Sequence, residues 1–214
     1  MLHTKDLIKP IDLDTIITRW PDSNPQLEAA ATERLTLAPI TEADRHQLTA
    51  IVARNRARLD RLIPLHDERN GETPNDWFDK QLTLHDQAVR SGNAWRRVLR
   101  DNETDAILGA VNLNAISRGL ECEADACVWL DEHAQRQGFA TEAIAAALAI
   151  AFAMPTRGLG LTAVHGGIQP DNFKSKRIAA RCGFRLDPRK SSHLRINGRW
   201  INHEFHVATP PITG

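Results

Sequence analysis

At 214 residues and 23.9 kDa the chain is long for one ordinary domain and short for two, which favours one domain with an extension. Its 42% hydrophobic and 25% charged residues suit a globular chain, and 27 Lys+Arg against 27 Asp+Glu leave no net field to mark a nucleic-acid or membrane binder. Three cysteines without a C-x-x-C pair, a start without an apolar core and a longest apolar run of only Ala143 to Met154 exclude disulfide-scaffold, secreted and transmembrane classes, so a reduced cytoplasm is the expected setting.

Residues 1–31 stand apart, with Pro10, Pro21 and Pro25 around one apolar knot at Ile16, Ile17 and Trp20. They read as a tethered arm without a core of its own, docked on the domain or on a second subunit of a homodimer. Leu35 to Pro39 alternates as a short strand stopped by proline, and Thr41 to Asp44 is an N-cap with an acidic first turn opening a helix along Leu48, Ile51 and Val52. Residues 64–74 read as loop, and Asn75 is expected to cap a second helix carrying Trp77, Phe78, Leu82 and Leu84.

Strands follow at Trp95 to Leu99 and Ile107 to Leu113 around a polar turn, and again at Ala124 to Leu130. A buried helix over 140–153 precedes the strand Leu161 to Ile168. Asn172 opens a helix that ends at Cys182-Gly183, and Asn197-Gly198 turns a last hairpin into the strand Trp200 to Val207. Helices, a meander and a late β-α-β-α passage predict a mixed sheet in an α/β or α+β domain over 32–209, with 210–214 as a tail.

The passage from Val128 to Ala143 holds the clearest chemistry. A strand ends, a polar loop with Gly138 follows, and an apolar helix begins at once. The free N–H groups and positive dipole end of that helix suit a phosphate, and Arg136 adds a charged donor. Taken alone, the segment reads more readily as an ordinary strand-to-helix turn capped by Thr141.

Gln135-x-x-Gly138-x-Ala140 resembles the acyl-CoA pyrophosphate loop of the GNAT acetyltransferases. Thr32 to Asp44 is similar to the opening of their RimJ/RimL branch. Pro170, Asn172 and Ser175 match its D-P-E-N-x-x-S, Cys182-Gly183-Phe184 resembles L-G-F, and Ile196 to His203 resembles I-N-G-x-W-x-D-H. Ser117-Arg118-Gly119 is closest to the RimJ members. The resemblance implies a GNAT fold, a mostly antiparallel central sheet flanked by helices, whose fourth and fifth strands splay around coenzyme A. It implies backbone pairing of Val128, Trp129 and Leu130 with the pantetheine arm and N–H contacts from Arg136, Gln137, Gly138, Phe139, Ala140 and Thr141 to the pyrophosphate. Asn172 would reach the pantetheine and Ser175 the thioester sulfur.

The implied activity is acetyl transfer from acetyl-CoA to an amine, with no metal. The favoured acceptor is the α-amine of a protein or peptide N-terminus. A small-molecule or antibiotic amine is the alternative, and a non-catalytic acyl-CoA-binding regulator is a third reading. Many GNAT enzymes offer a tyrosine hydroxyl to the departing sulfur; this chain has no tyrosine, so Ser175 is the hydroxyl at a matching site, or else it bonds its own backbone. Some relatives carry a glutamate shortly before the last hairpin, where Leu194 stands here beside His193. His193, Glu123 and Asp125 are the candidate bases, the two carboxylates sharing one strand face. An α-amine titrates near about 8 and a lysine near about 10.4, so the missing groups favour the α-amine.

Other patterns carry less. His203 and His206 form half a metal motif, but an i, i+3 pair on a strand faces opposite ways. Gly158-x-Gly160 precedes a strand where a dinucleotide fingerprint would follow one. His165 is expected at the surface, Cys122 and Cys127 away from positive neighbours, and Trp77, Trp95, Trp129 and Trp200 in the core.

Overall fold

The computed structural model describes residues 11–22, 24–25, 28–62, 73–196 and 198–210, the side chains of Arg189 and Ser191 excepted. Eight strands form one sheet: β1 (Ala30–Ala31), β2 (Leu35–Ala38), β3 (Trp95–Asp101), β4 (Ile107–Asn114), β5 (Glu123–Leu130), β6 (Ala163–Ile168), β7 (Arg185–Ile196) and β8 (Arg199–Ala208). Their spatial order is β1-β2-β3-β4-β5-β6-β8-β7, and every pairing is antiparallel except β5 with β6. Two helices, α1 (Arg45–Leu59) and α2 (Pro74–Ser91), cover one face. The crossover helix α3 (Phe139–Phe152) and α4 (Phe173–Arg181) cover the other.

Local chemistry sets the ends of these helices. Thr41 caps a 3-10 turn at Glu42–Asp44 that leads into α1, and the Asp44 carboxylate accepts the Thr41 N–H at 2.7 Å. Thr73, not Asn75, caps α2: its hydroxyl accepts the Asp76 N–H at 3.2 Å, Asp76 answers on the Thr73 N–H at 2.8 Å, and Pro74 takes the first helical position. Asn75 falls inside the first turn because the Thr-x-x-Asp box satisfies two orphan donors at once. The loop expected over 64–74 lies largely outside the described residues, as does Asn197 of the last turn.

The alanine-rich α3 packs on every side, with all residues from Thr141 to Ala151 buried between the sheet, α4 and the arm. Small side chains let the sheet approach that close, and alanine keeps helix propensity high. The opposite core, Leu48, Ile51, Val52, Leu59, Trp77, Phe78, Val98, Ile107 and Trp129, seals α1 and α2 onto the sheet. Trp77, Trp95 and Trp129 are buried as expected, but Trp200 is 70% exposed. It sits next to the β7–β8 turn, paired with Arg195 at the outer edge of the sheet. His165, expected at the surface, is only 6% exposed because β8 and β7 extend the sheet past β6.

The N-terminal segment is part of this architecture. Ile17 is buried in the α3 core with Ile16 and Trp20 packed beside it, and the Arg157 guanidinium lies 4.2 Å from the centre of the Trp20 ring. The Pro25 carbonyl accepts hydrogen bonds from the indole N–H of Trp95, at 2.7 Å, and from the buried Arg97. The sheet starts at Ala30, two residues inside the stretch expected as an arm. Ile17→Ala is expected to cost about 2–4 kcal/mol in urea unfolding, the range for emptying a buried aliphatic site. An unchanged midpoint would show that the segment adds nothing to the core.

Candidate active site

The parallel pairing of β5 with β6 covers only Glu123–Asp125 against Ala163–His165. Beyond it, β5 stays with β4 as far as Leu130, while β6 follows β8. The strands therefore diverge, and a cavity of about 360 Å³ occupies the gap. Ala126, Val128, Ile144, Ile178 and Ala179 line it from the α3 side, and Asn114, Asp125 and Cys127 from the α1 side. Because neighbouring strand residues face opposite sides of a sheet, the gap connects the two faces.

Along β5 the Asp131 N–H bonds the Leu108 carbonyl of the adjoining strand, so alternation turns the backbone groups of Trp129 toward β4 and those of Ala126, Val128 and Leu130 toward the gap. The Leu130 carbonyl is already taken by the Arg58 guanidinium at 2.5 Å. Of the three residues expected to pair with a pantetheine arm, only Val128 has both backbone groups open there among the described residues. The Trp129 side chain belongs to the core on the opposite face.

The loop that follows is anchored at its start by a buried carboxylate. Asp131 accepts from Arg54, through Nε at 3.1 Å and through Nη2, and from Asn55 Nδ2 at 2.6 Å. The Asn55 oxygen in turn accepts the Glu132 N–H at 2.9 Å, tying α1 to the loop. Burial by itself would raise the Asp131 pKa, but the bonds from Arg54 and Asn55 outweigh it and hold the carboxyl at about 2.

At the end of the loop Gln135 is extended, Arg136 is left-handed at φ 64° and Gly138 at φ 89°. Alternating hand across Arg136, Gln137 and Gly138 gathers successive N–H groups on one side, the geometry of an anion-binding nest. Among the described residues, the N–H groups from Arg136 to Ala140 have no protein acceptor, and neither does the Arg136 guanidinium. The Thr141 N–H does not join them: it bonds the Gly138 carbonyl at 3.0 Å, and the Thr141 side chain is buried. Phe139 is buried, and the Gln137 side chain donates to the His133 carbonyl. Gln135 is half-buried before the nest.

Across the gap, Asn172 caps α4 with its side-chain oxygen, accepting the Ser175 N–H at 3.1 Å, and both residues line the cavity. Asn172 thus keeps its amide N–H₂ and one oxygen lone pair for a ligand. The Ser175 hydroxyl makes no hydrogen bond among the described residues, so it is not spent on its own backbone.

The candidate bases separate. Asp125 lines the cavity at the solvent-open end of the pairing, and the protein crowded around it raises its pKa, opposed by the charges of His165 and Lys190. Glu123, one pleat away, is not a cavity residue: its carboxylate is 3.0 Å from His165 Nε2 and 3.9 Å from Lys190 Nζ. His193 is exposed and points away, since Leu194 beside it faces the cavity. Alternation on β7 decides that pair. The charges around Cys127 also differ from expectation, because Arg96 lies near it, yet burial still pushes the thiol pKa up.

His203, in the sequence only half of a discounted metal motif, belongs to the site. It is 3% exposed, lines the cavity, and its Nδ1 faces the Ile201 carbonyl at 2.8 Å. A carbonyl only accepts, so Nδ1 carries the proton and Nε2 is the acceptor of the neutral ring. Its place on β8 opposite Ser192 was legible as strand alternation but not as proximity to α4. Among the described residues no cluster of His, Cys, Asp and Glu could hold a metal ion, and no helix is long and apolar enough to cross a membrane.

A mixed sheet with one short parallel pair, a gap at that pair and a nest at the head of α3 defines the GNAT fold. Residues 34–185 match the family model described as an acetyltransferase (GNAT) domain, and the chain belongs to that family of acyltransferases. It is 25% identical over 180 residues to the [ribosomal protein uS5]-alanine N-acetyltransferase of Escherichia coli, covering 84% of this chain and 90% of that one. It is 26% identical over 132 residues to the probable N-acetyltransferase YjcK of Bacillus subtilis, covering 62% and 71%. Among solved structures, Mycobacterium smegmatis RimJ in complex with CoA-disulfide superposes with a TM-score of 0.71 at 19% identity, over 90% of this chain and 85% of that one. RimL, the ribosomal L7/L12 α-N-protein acetyltransferase in complex with coenzyme A, gives 0.70 at 20% identity, over 85% and 98%.

Two tests address the loop. Gly138→Asp is expected to abolish coenzyme A binding by calorimetry while the protein stays folded. A Cβ there meets only Arg34 Nη2 at 3.3 Å, but the φ of 89° strains any side chain and the new charge faces the nest. Unchanged affinity would remove the loop from the site. Asp131→Ala is expected to cost about 1–3 kcal/mol, the range for losing hydrogen bonds to one charged group whose ion-pair partner, Arg54, remains open to solvent. Because the folded pKa lies below the unfolded value, this contribution is complete above about pH 4 and is lost as pH falls through about 2. Chemical denaturation of both proteins across that range should show their stabilities converging.

Proposed function

We propose that the chain is an acetyl-CoA-dependent N-acetyltransferase acting on the α-amine of a protein or peptide N-terminus. The observation that carries this reading is the gap joining the two sheet faces, with unpaired N–H groups at one end and the Asp125 carboxylate at the other. Coenzyme A fits the first end. The nest from Arg136 to Ala140 would receive the pyrophosphate, with Gln135 shaping its approach, and Val128 and Asn172 would bond the amide-bearing arm. The relatives' names supply the acceptor class, since the Escherichia coli protein is a ribosomal-protein alanine N-acetyltransferase.

In the transfer the amine nitrogen attacks the thioester carbon, the C–N bond forms, and the C–S bond breaks as the tetrahedral adduct collapses. Asp125 and His203 are the cavity-lining groups able to accept the proton leaving nitrogen, directly or through water. Ser175, which lines the cavity, would donate to the departing thiolate, which with a free thiol pKa of about 8.5 needs little assistance. Crowding by the protein raises the Asp125 pKa, which makes its carboxylate a better proton acceptor, and a carboxylate in the gap attracts an N-terminal ammonium before it loses its proton.

An Ala-starting peptide and a panel of small amines, compared by mass after incubation with acetyl-CoA, test the proposal. The peptide α-amine should be acetylated preferentially, with the rate rising with pH and levelling near about 8 as the free amine saturates. Asp125→Asn should lower kcat/KM for the peptide by roughly 10²-fold, the low end for losing a general base. Preferential acetylation of small amines would overturn the acceptor class, and no turnover with any amine would leave an acyl-CoA-binding regulator.

A further inference from the structure

Arg34, ahead of β2 on the far side of α3, lies outside every residue assigned to the site so far, yet its side chain ends on the nest. Its Nε and Nη2 hold the Glu142 Oε2 at 2.8 and 2.5 Å, and its Nη1 donates to the Gln137 carbonyl at 2.9 Å. The guanidinium carbon is 4.6 Å from the centre of the Phe139 ring, which fixes the plane of the fork. Glu142 is completed on its other oxygen by the Thr32 hydroxyl at 2.5 Å and the Arg34 N–H at 3.2 Å.

Two consequences follow from this geometry. In a trans peptide the carbonyl of one residue and the N–H of the next point in opposite directions. An arginine gripping the Gln137 carbonyl from behind therefore aims the Gly138 N–H forward, with the other open N–H groups. Second, Glu142 places a carboxylate in the first turn of α3, beside the N–H groups offered to a pyrophosphate. Unpaired, that largely buried carboxylate would repel a phosphate held beside it at close range. Paired with a fork on two of its N–H groups, it does not.

We infer that Arg34 is a positioning residue for the donor's pyrophosphate: it orients the nest through Gln137 and masks the charge of Glu142 without touching the ligand. The inference rests on the nest being the pyrophosphate site. It predicts a loss confined to donors that carry the pyrophosphate. For acetyl-CoA and for acetyl-pantetheine, which lacks it, kcat/KM is measured with one acceptor, and the ratio of the two is the readout. Arg34→Met should lower that ratio on the order of tenfold, with calorimetric Kd for coenzyme A rising by a similar factor, while acetyl-pantetheine turnover changes little.

Arg34→Met with Glu142→Gln should recover part of the ratio, because the unmasked carboxylate is gone although the tether on Gln137 is still missing. This double variant also serves if the single one fails to fold, since no buried carboxylate is left unpaired; its ratio should then lie between wild type and Gly138→Asp. A purely structural role would depress both donors alike and leave the ratio at the wild-type value, which overturns the inference. Gly138→Asp separates the two ideas. A ratio insensitive to Gly138→Asp refutes the nest as the pyrophosphate site, whereas sensitivity to Gly138→Asp alone refutes only the part assigned to Arg34.

Discussion

The site depends on one constraint: β5 and β6 are parallel neighbours for three residue pairs and then part. A backbone edge inside a protein must find partners, and most internal strand edges find them in the next strand. Here Leu130 finds Arg58, while Val128 is left facing a cavity. An extended ligand rich in amides can add itself to such an edge as a further strand would. The fold thus turns an incomplete ladder into a binding groove, and the remaining elements hold that gap open.

Each boundary of the gap is secured by a buried polar contact. On the α1 face the Arg54–Asp131–Asn55 group joins helix to loop. On the α3 face Arg34, Thr32 and Glu142 tie the start of the sheet to the first turn of the crossover helix. Charged side chains are costly to bury unless their hydrogen bonds are complete, and both carboxylates have several donors. These groups fix direction more than they add stability, which is what a loop of exposed N–H groups requires. The apolar mass comes from elsewhere, from the alanine-packed α3 and from Ile17 of the N-terminal segment.

The candidate bases show how alternation and tertiary neighbours together select a residue. Glu123 and Asp125 share a face, but Glu123 meets His165 and Lys190 while Asp125 meets the opening. His193 and Leu194 are adjacent in sequence and opposite in space. His203 enters the cavity because β8 lies between β6 and β7, an order that sequence proximity would not suggest.

What the sequence by itself determined is whatever depends on short-range chemistry. The polar loop with Gly138 between strand and apolar helix, the Asn172 cap, the terminal Gly183 and the alternation of β4 and β5 are local patterns with local causes, and ordered motifs extended them to the family. It misjudged the α2 cap by two residues, because a Thr-x-x-Asp box competes with asparagine and wins. Only the tertiary structure decided which polar residues meet. That Arg34 reaches Gln137 and Glu142 across more than a hundred positions, that Trp200 remains exposed, and that His165 is buried follow from strand order and helix docking. Those are settled by how the apolar faces pack together, a property of the whole sheet that no short window of residues contains.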